Sequence, residues 1–194
     1  MKIVERDFYL LHPLEALDRI LGKVLIVQSG STKVGGRIVE AEAYLGEEDP
    51  GSFAYKGRKG KRKEALYREP GYTFVYMNYG MYYLLNLIFQ PKEKPGAILI
   101  RALEPLFGIE LMKKRRKKER LTELCSGPGK LCAALGIDTS FDNLPVFVPE
   151  GKILLLEGDL KKGEKIIHSG RIGIKEGSDL PYRAFIKNSP FLSR

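Results

Sequence analysis

The segment Gly36-Arg37-Ile38-Val39-Glu40-Ala41-Glu42-Ala43-Tyr44 sets two carboxylates two residues apart and a phenol two residues further on. Read as a strand, its alternation puts Ile38, Glu40, Glu42 and Tyr44 on one face and Val39, Ala41 and Ala43 on the other. Carboxylates at i and i+2 of a strand stand about 7 Å apart. A carboxylate half out of water beside an aromatic ring makes a general base next to a surface for a planar substrate. An edge strand with a charged outer face has the same pattern, and taken alone the segment favours that plainer reading.

Thr73-Phe74-Val75-Tyr76-Met77-Asn78-Tyr79-Gly80 and the aromatic run from Met81 to Ile88 read as a hairpin. Gly80 permits the positive φ of a tight turn, which leaves Tyr79 at the tip between Met77 and Met81. A tip tyrosine with no core to fill suits a wedge between base steps of a duplex. Phe74 and Tyr82 fit ordinary aromatic packing instead. Arg101 is alone in the apolar strand Ala97 to Ala102; such a guanidinium pairs with a carboxylate or a phosphate, Glu42 and Glu104 being the internal candidates. Ser126-Gly127-Pro128-Gly129-Lys130 offers amides and a lysine to an anion, though an ordinary helix start explains it equally well. It lacks P-loop spacing, so nucleotide hydrolysis is not supported.

These groups must be positioned by one domain, since 194 residues without repeats or long linkers fit a single unit, residues 1–194. Helical signals mark 13–21, 107–120 and 131–135; strands are expected at 23–28, 33–45, 72–78, 81–88, 97–102, 153–156, 165–168 and 182–187. Residues 46–63 read as an exposed loop. Many strands and few helices indicate an α+β fold with a mostly antiparallel sheet. The charged opening is neither a signal nor a transit peptide, and no stretch approaches a membrane span, so no membrane partner is expected. Cys125 and Cys132 are seven apart, which suits neither a zinc pair nor a redox motif; they read as reduced core residues on one helix face, pointing to the cytosol. Only His12 and His168 are available for a metal, and six Asn+Gln among so much Lys and Glu fits a heat-loving source.

Thirty-three Lys+Arg against 24 Asp+Glu leave a net charge of +9. Six of the basic groups lie in residues 56–63 and seven in 113–120. Such clusters neutralise phosphates and release counterions, which favours a nucleic-acid partner over two merely solvated faces.

GRIVEAEAYLGEEDP, YTFVYMNYGMYYLLN, LIRALEPL and ELCSGPGKLC, in that order and spacing, resemble the alkyladenine (3-methyladenine) DNA glycosylase family from about residue 5 to the C-terminus. The resemblance implies one mixed domain with a curved, open-barrel-like antiparallel sheet, flanking helices and a protruding hairpin. It implies excision of alkylated purines, 3-methyladenine and 7-methylguanine, from double-stranded DNA in base excision repair by nucleotide flipping, with no cofactor and no metal. By motif position Glu42 is similar to the base that activates water against C1′, and Tyr44 and Tyr76 to the walls around the flipped base. Tyr79 is similar to the residue that fills the gap, Asn86 to the sieve against the guanine amino group, and Arg101 to a group beside the water and the phosphate. Met81 and Lys130 fall to the DNA backbone. Phe53 stands in Ser52-Phe53-Ala54 where the family usually has a histidine donating to the base edge, so methylated purines are expected to outpace hypoxanthine. No lysine is poised for a Schiff base; a monofunctional, monomeric enzyme that leaves an abasic site is expected. A non-catalytic nucleic-acid-binding module, a helix-hairpin-helix glycosylase and a metal-dependent phosphodiesterase using Glu40 and Glu42 are the competing readings.

Overall fold

In the computed structural model, residues 1–58, 60–91 and 93–193 are described. Helix α1 (Pro13–Ile20) starts on Pro13, whose missing amide would have no partner there anyway. His12 caps it, Nδ1 accepting from the Leu14 amide at 3.3 Å. Ala16, Leu17 and Ile20 face inward at helical spacing. The chain then turns at Gly22, where φ is +91° and a Cβ would meet the Asp159 carbonyl carbon at 2.6 Å, so only glycine fits.

Strands β1 (Val24–Ser29) and β2 (Thr32–Tyr44) form one hairpin, and β3 (Thr73–Asn78) and β4 (Tyr82–Ile88) another. With β5 (Ala97–Phe107), β6 (Ile153–Leu156), β7 (Ile166–Ser169) and β8 (Arg183–Ile186) they make an eight-stranded sheet of order β3-β4-β5-β2-β1-β6. β8 pairs with the second half of β2, and β7 with β8. Every pairing between these strands is antiparallel and the sheet stays open. Helix α2 (Lys61–Ala65) precedes β3; α3 (Ile109–Arg116), α4 (Leu121–Leu124) and α5 (Pro128–Leu135) follow β5, with α5 packed on β4 and α3. The main core joins α1, the inner sheet face and α5 through Tyr9, Leu17, Phe89, Ile98, Ile100, Leu131 and Leu135. Among the described residues no helix is long and apolar enough to cross a membrane.

Four local expectations are corrected. Helix 107–120 shrinks to α3, because β5 continues through Phe107 and Lys117 turns left-handed at φ 51°. Cations suit the last turn of a helix, but a further run of them stacks like charges at i and i+4. The segment 46–63 is not simply an exposed loop: it holds 3-10 turns and the start of α2, and Asp49, Ser52 and Ala54 are buried. Cys125 and Cys132 are both free and buried, yet one follows α4 and the other lies in α5, so they share no helix face. Ile38 leaves the face of Glu40, because the register with β5 slips by one between them and Val39 forms a bulge.

Candidate active site

The acidic half of β2 is not an edge. Glu40 faces Ala102 of β5 on one side and Phe185 of β8 on the other, and Glu42 faces Leu99 and Arg183. Both carboxylates are fully buried. A second slip, from the pair Glu40–Ala102 to the pair Ala41–Ile100, makes Arg101 a bulged residue of β5. A bulge re-aims a side chain, and the Arg101 guanidinium reaches across to both carboxylates. Its Nε donates to Glu40 at 2.9 Å, and its Nη1 stands 3.2 Å from Glu42 Oε1. Glu104, the other internal candidate, instead holds Arg37 and Lys161.

The two carboxylates share a strand face and differ in partners. Glu40 accepts from Arg101, from Arg183 Nε at 2.8 Å, and from the Ser193 amide and hydroxyl at 2.6 Å each. Burial pushes its pKa up, but Ser193, Arg183 and Arg101 together hold it below the ordinary glutamate value. Glu42 accepts from the Ile172 amide at 2.8 Å and from the Tyr44 hydroxyl at 3.0 Å. For Glu42 burial wins: its pKa is raised despite Arg101, Ile172 and Tyr44, and the Glu40 charge adds to the rise. The neighbouring Tyr44 hydroxyl is pushed well up by burial and by Glu42.

Above this pair opens a cleft of about 550 Å³. Tyr44, Phe53, Tyr76, Asn86, Leu99 and Arg101 line it. Glu42 lies behind this wall rather than in it, joined to the cleft through Tyr44 and Arg101. Phe53 meets Tyr76 edge-on at 5.2 Å and Phe74 at 6.3 Å, building an apolar wall. Asn86 is buried and one amide hydrogen goes to the Phe74 carbonyl at 3.2 Å, across the β3–β4 ladder. Burial pushes the Tyr76 hydroxyl up to about 12.

Tyr79 projects at the hairpin tip, 80% exposed, with Met81 exposed beside it. Tyr79 itself sits at φ 51°, next to Gly80 at 69°. A non-glycine residue held left-handed stores about 1 kcal/mol of strain, and such strain gathers at functional positions. Tyr82 packs on one side only: half exposed, it lies against Gly129 of α5 and lines the cleft with its other side. Lys130 also lines the cleft, half-buried in the first turn of α5.

The two basic clusters are partly engaged within the protein. Arg58 pairs with Glu176, Lys63 with Glu47, Lys113 with Glu110 and Lys118 with Glu123. Arg115 and Arg116 donate to the Ala134 and Leu124 carbonyls, closing helix ends. Lys59, also in the first cluster, lies outside the described residues.

Sequence reasoning missed the supports of the site. Arg171 is fully buried, grips Asp49 through two bonds of 2.6 Å, and lies 4.7 Å from the Tyr44 ring. Its neighbour Ile172 sends its amide to Glu42. Asp49 also accepts from the Leu45 and Gly51 amides, and that Asx turn is the one signal Asp49-Pro50-Gly51 carried in the sequence. Ser193 and Arg183 carried none.

The model of the methylpurine-DNA glycosylase family matches residues 7–190. Similar chains include one from Clostridium perfringens (strain SM101), 40% identical over 200 residues that cover 97% of this chain and 98% of the relative. One from Chlorobium luteolum is 37% identical, covering 97% and 95%, and one from Methanocella arvoryzae is 40% identical, covering 100% and 97%. Each of the three bears the name "Putative 3-methyladenine DNA glycosylase".

Proposed function

This chain belongs to the methylpurine-DNA glycosylase family, and we propose that it flips alkylated purines, 3-methyladenine and 7-methylguanine, out of duplex DNA and hydrolyses their N-glycosidic bond without a metal. The supporting observation is a buried carboxylate with raised proton affinity, Glu42, hydrogen-bonded to a tyrosine that walls an aromatic cleft with ample room for a nucleobase. The flipped base stacks between Tyr44 and Tyr76, while Tyr79 fills the gap in the duplex. Asn86 reads the base edge, and Lys130, Met81 and the exposed Lys61, Lys114 and Lys117 of the basic clusters hold the backbone. Glu42 takes a proton from water as the water's oxygen bonds to C1′ and the C1′–N bond breaks. The electron pair of that bond leaves with the base, which an alkylated, cationic purine accepts readily. Arg101 keeps Glu42 oriented. Tyr44 donates to Oε2, and a carboxylate oxygen has a second lone pair for water. An abasic site remains, the strand uncut.

The test is Glu42→Gln in single-turnover assays on duplexes carrying 7-methylguanine, with chelator present and free base scored before and after alkaline cleavage. Duplex binding persists while base release falls by about 10²–10⁴-fold, the range for loss of a general base. Unchanged release refutes the assignment; strand breaks before alkali refute the monofunctional reading. Phe53 offers no hydrogen bond to a base edge, so the wild-type protein releases methylated purines faster than hypoxanthine. Equal or faster hypoxanthine release overturns that ranking.

A further inference from the structure

Both tyrosine walls of the cleft already face a guanidinium. Arg171 lies 4.7 Å from the Tyr44 ring, but Asp49 balances its charge through two hydrogen bonds. Arg62, in α2, is different. It lines the cleft with its guanidinium 4.6 Å from the Tyr76 ring centre and 5.2 Å from that of Phe53. One Nη2 hydrogen ties it to the Met77 carbonyl at 2.9 Å. No ion pair to Arg62 forms among the described residues, whereas Arg58, Lys63 and Arg68 around it each have a carboxylate.

We propose that Arg62 is a specificity-determining residue of the cleft, whose unbalanced positive charge over the Tyr76–Phe53 wall favours neutral purines and opposes cationic ones. An aromatic face attracts a cation through its quadrupole. Here a fixed guanidinium already takes that attraction on Tyr76. A cationic purine entering the same wall meets like charge at short range, at the rim of the cleft where Arg62 is exposed and solvent screens the repulsion in part. A neutral purine meets instead a fork with four free N–H donors for ring nitrogens or a carbonyl oxygen. Tethering to Met77 keeps the fork at the wall while leaving those donors free.

This inference rests on the proposed glycosylase reading, and Arg62→Met tests it because methionine keeps much of the volume and removes the charge. Two measurements separate the claims. The first is equilibrium binding to the free protein of 7,9-dimethyladeninium, a purine that stays cationic at neutral pH, and of hypoxanthine, read by tyrosine fluorescence. The second is single-turnover release of 7-methylguanine and hypoxanthine from matched duplexes. Arg62→Met raises the cationic-to-neutral ratio about tenfold in both. Equal losses on both substrates would make Arg62 a phosphate contact, and equal gains a steric plug; either overturns the proposal. So does failure of both proteins to bind either base, since a wall that takes no purine has no balance to set. Absent base release in wild type with a shifted binding ratio would instead refute the glycosylase reading and leave the role of Arg62 standing.

Discussion

Removing Asp49 should destabilise the protein from beneath its candidate active site. Both side chains of the Asp49–Arg171 pair are fully buried, with bonds of 2.6 Å at each guanidinium end. Breaking such a pair by deleting one partner costs about 3–5 kcal/mol, because the other charge stays buried. Asp49→Ala also frees the Leu45 and Gly51 amides, at about 1 kcal/mol or more where water cannot reach them. A total near 5 kcal/mol is a large part of the ~5–15 kcal/mol that holds a domain folded. For a chain of this size it lowers Tm by roughly 15 °C. Urea and thermal unfolding would measure it, with Glu176→Ala as control: the exposed Arg58–Glu176 pair is worth under about 1 kcal/mol. Asp49→Ala/Arg171→Met should then regain stability over Asp49→Ala alone, since no unpaired charge remains. A loss within about 1 kcal/mol for Asp49→Ala, or a double variant weaker than the single one, refutes the reasoning.

The acid limb of kcat/KM should have its midpoint above the ordinary glutamate value of 4.5, because burial raises Glu42 and the base works only ionised; a midpoint at or below 4.5 contradicts it. Glu40 has the opposite sign. Its folded pKa is lowered, so its stabilisation is present above its unfolded value and disappears as pH falls through the folded one. Ser193→Ala removes a hydroxyl bond to Glu40 and should move acid unfolding to higher pH, costing about 1–2 kcal/mol at neutral pH. Tyr79→Gly should relieve the left-handed strain at φ 51° and raise stability by up to about 1 kcal/mol, while weakening binding to damaged duplex. Stability and binding moving together would argue against a wedge.

The strands were legible because β-branched and aromatic runs with turn punctuation mark them wherever one face is buried. Alternation likewise put Glu40, Glu42 and Tyr44 together. It failed at Ile38, where one bulged residue reversed the faces, and strict period-two reading has no term for a bulge. Burial of the segment was not legible either: a charged strand looks like an edge until β5 and β8 are known to flank it. Most consequentially, spacing gives Glu40 and Glu42 the same standing. What separates them arrives from 143 and 153 residues away, where Arg183 and Ser193 close on Glu40. A carboxylate held by four donors, two of them arginine nitrogens, has its proton affinity lowered despite burial. Glu42, left with one arginine nitrogen, one amide and one phenol, keeps a raised proton affinity. The opposite proton affinities of two identical side chains are therefore written in the far end of the chain, and exchanging Ser193 or Arg183 tests this without touching either glutamate.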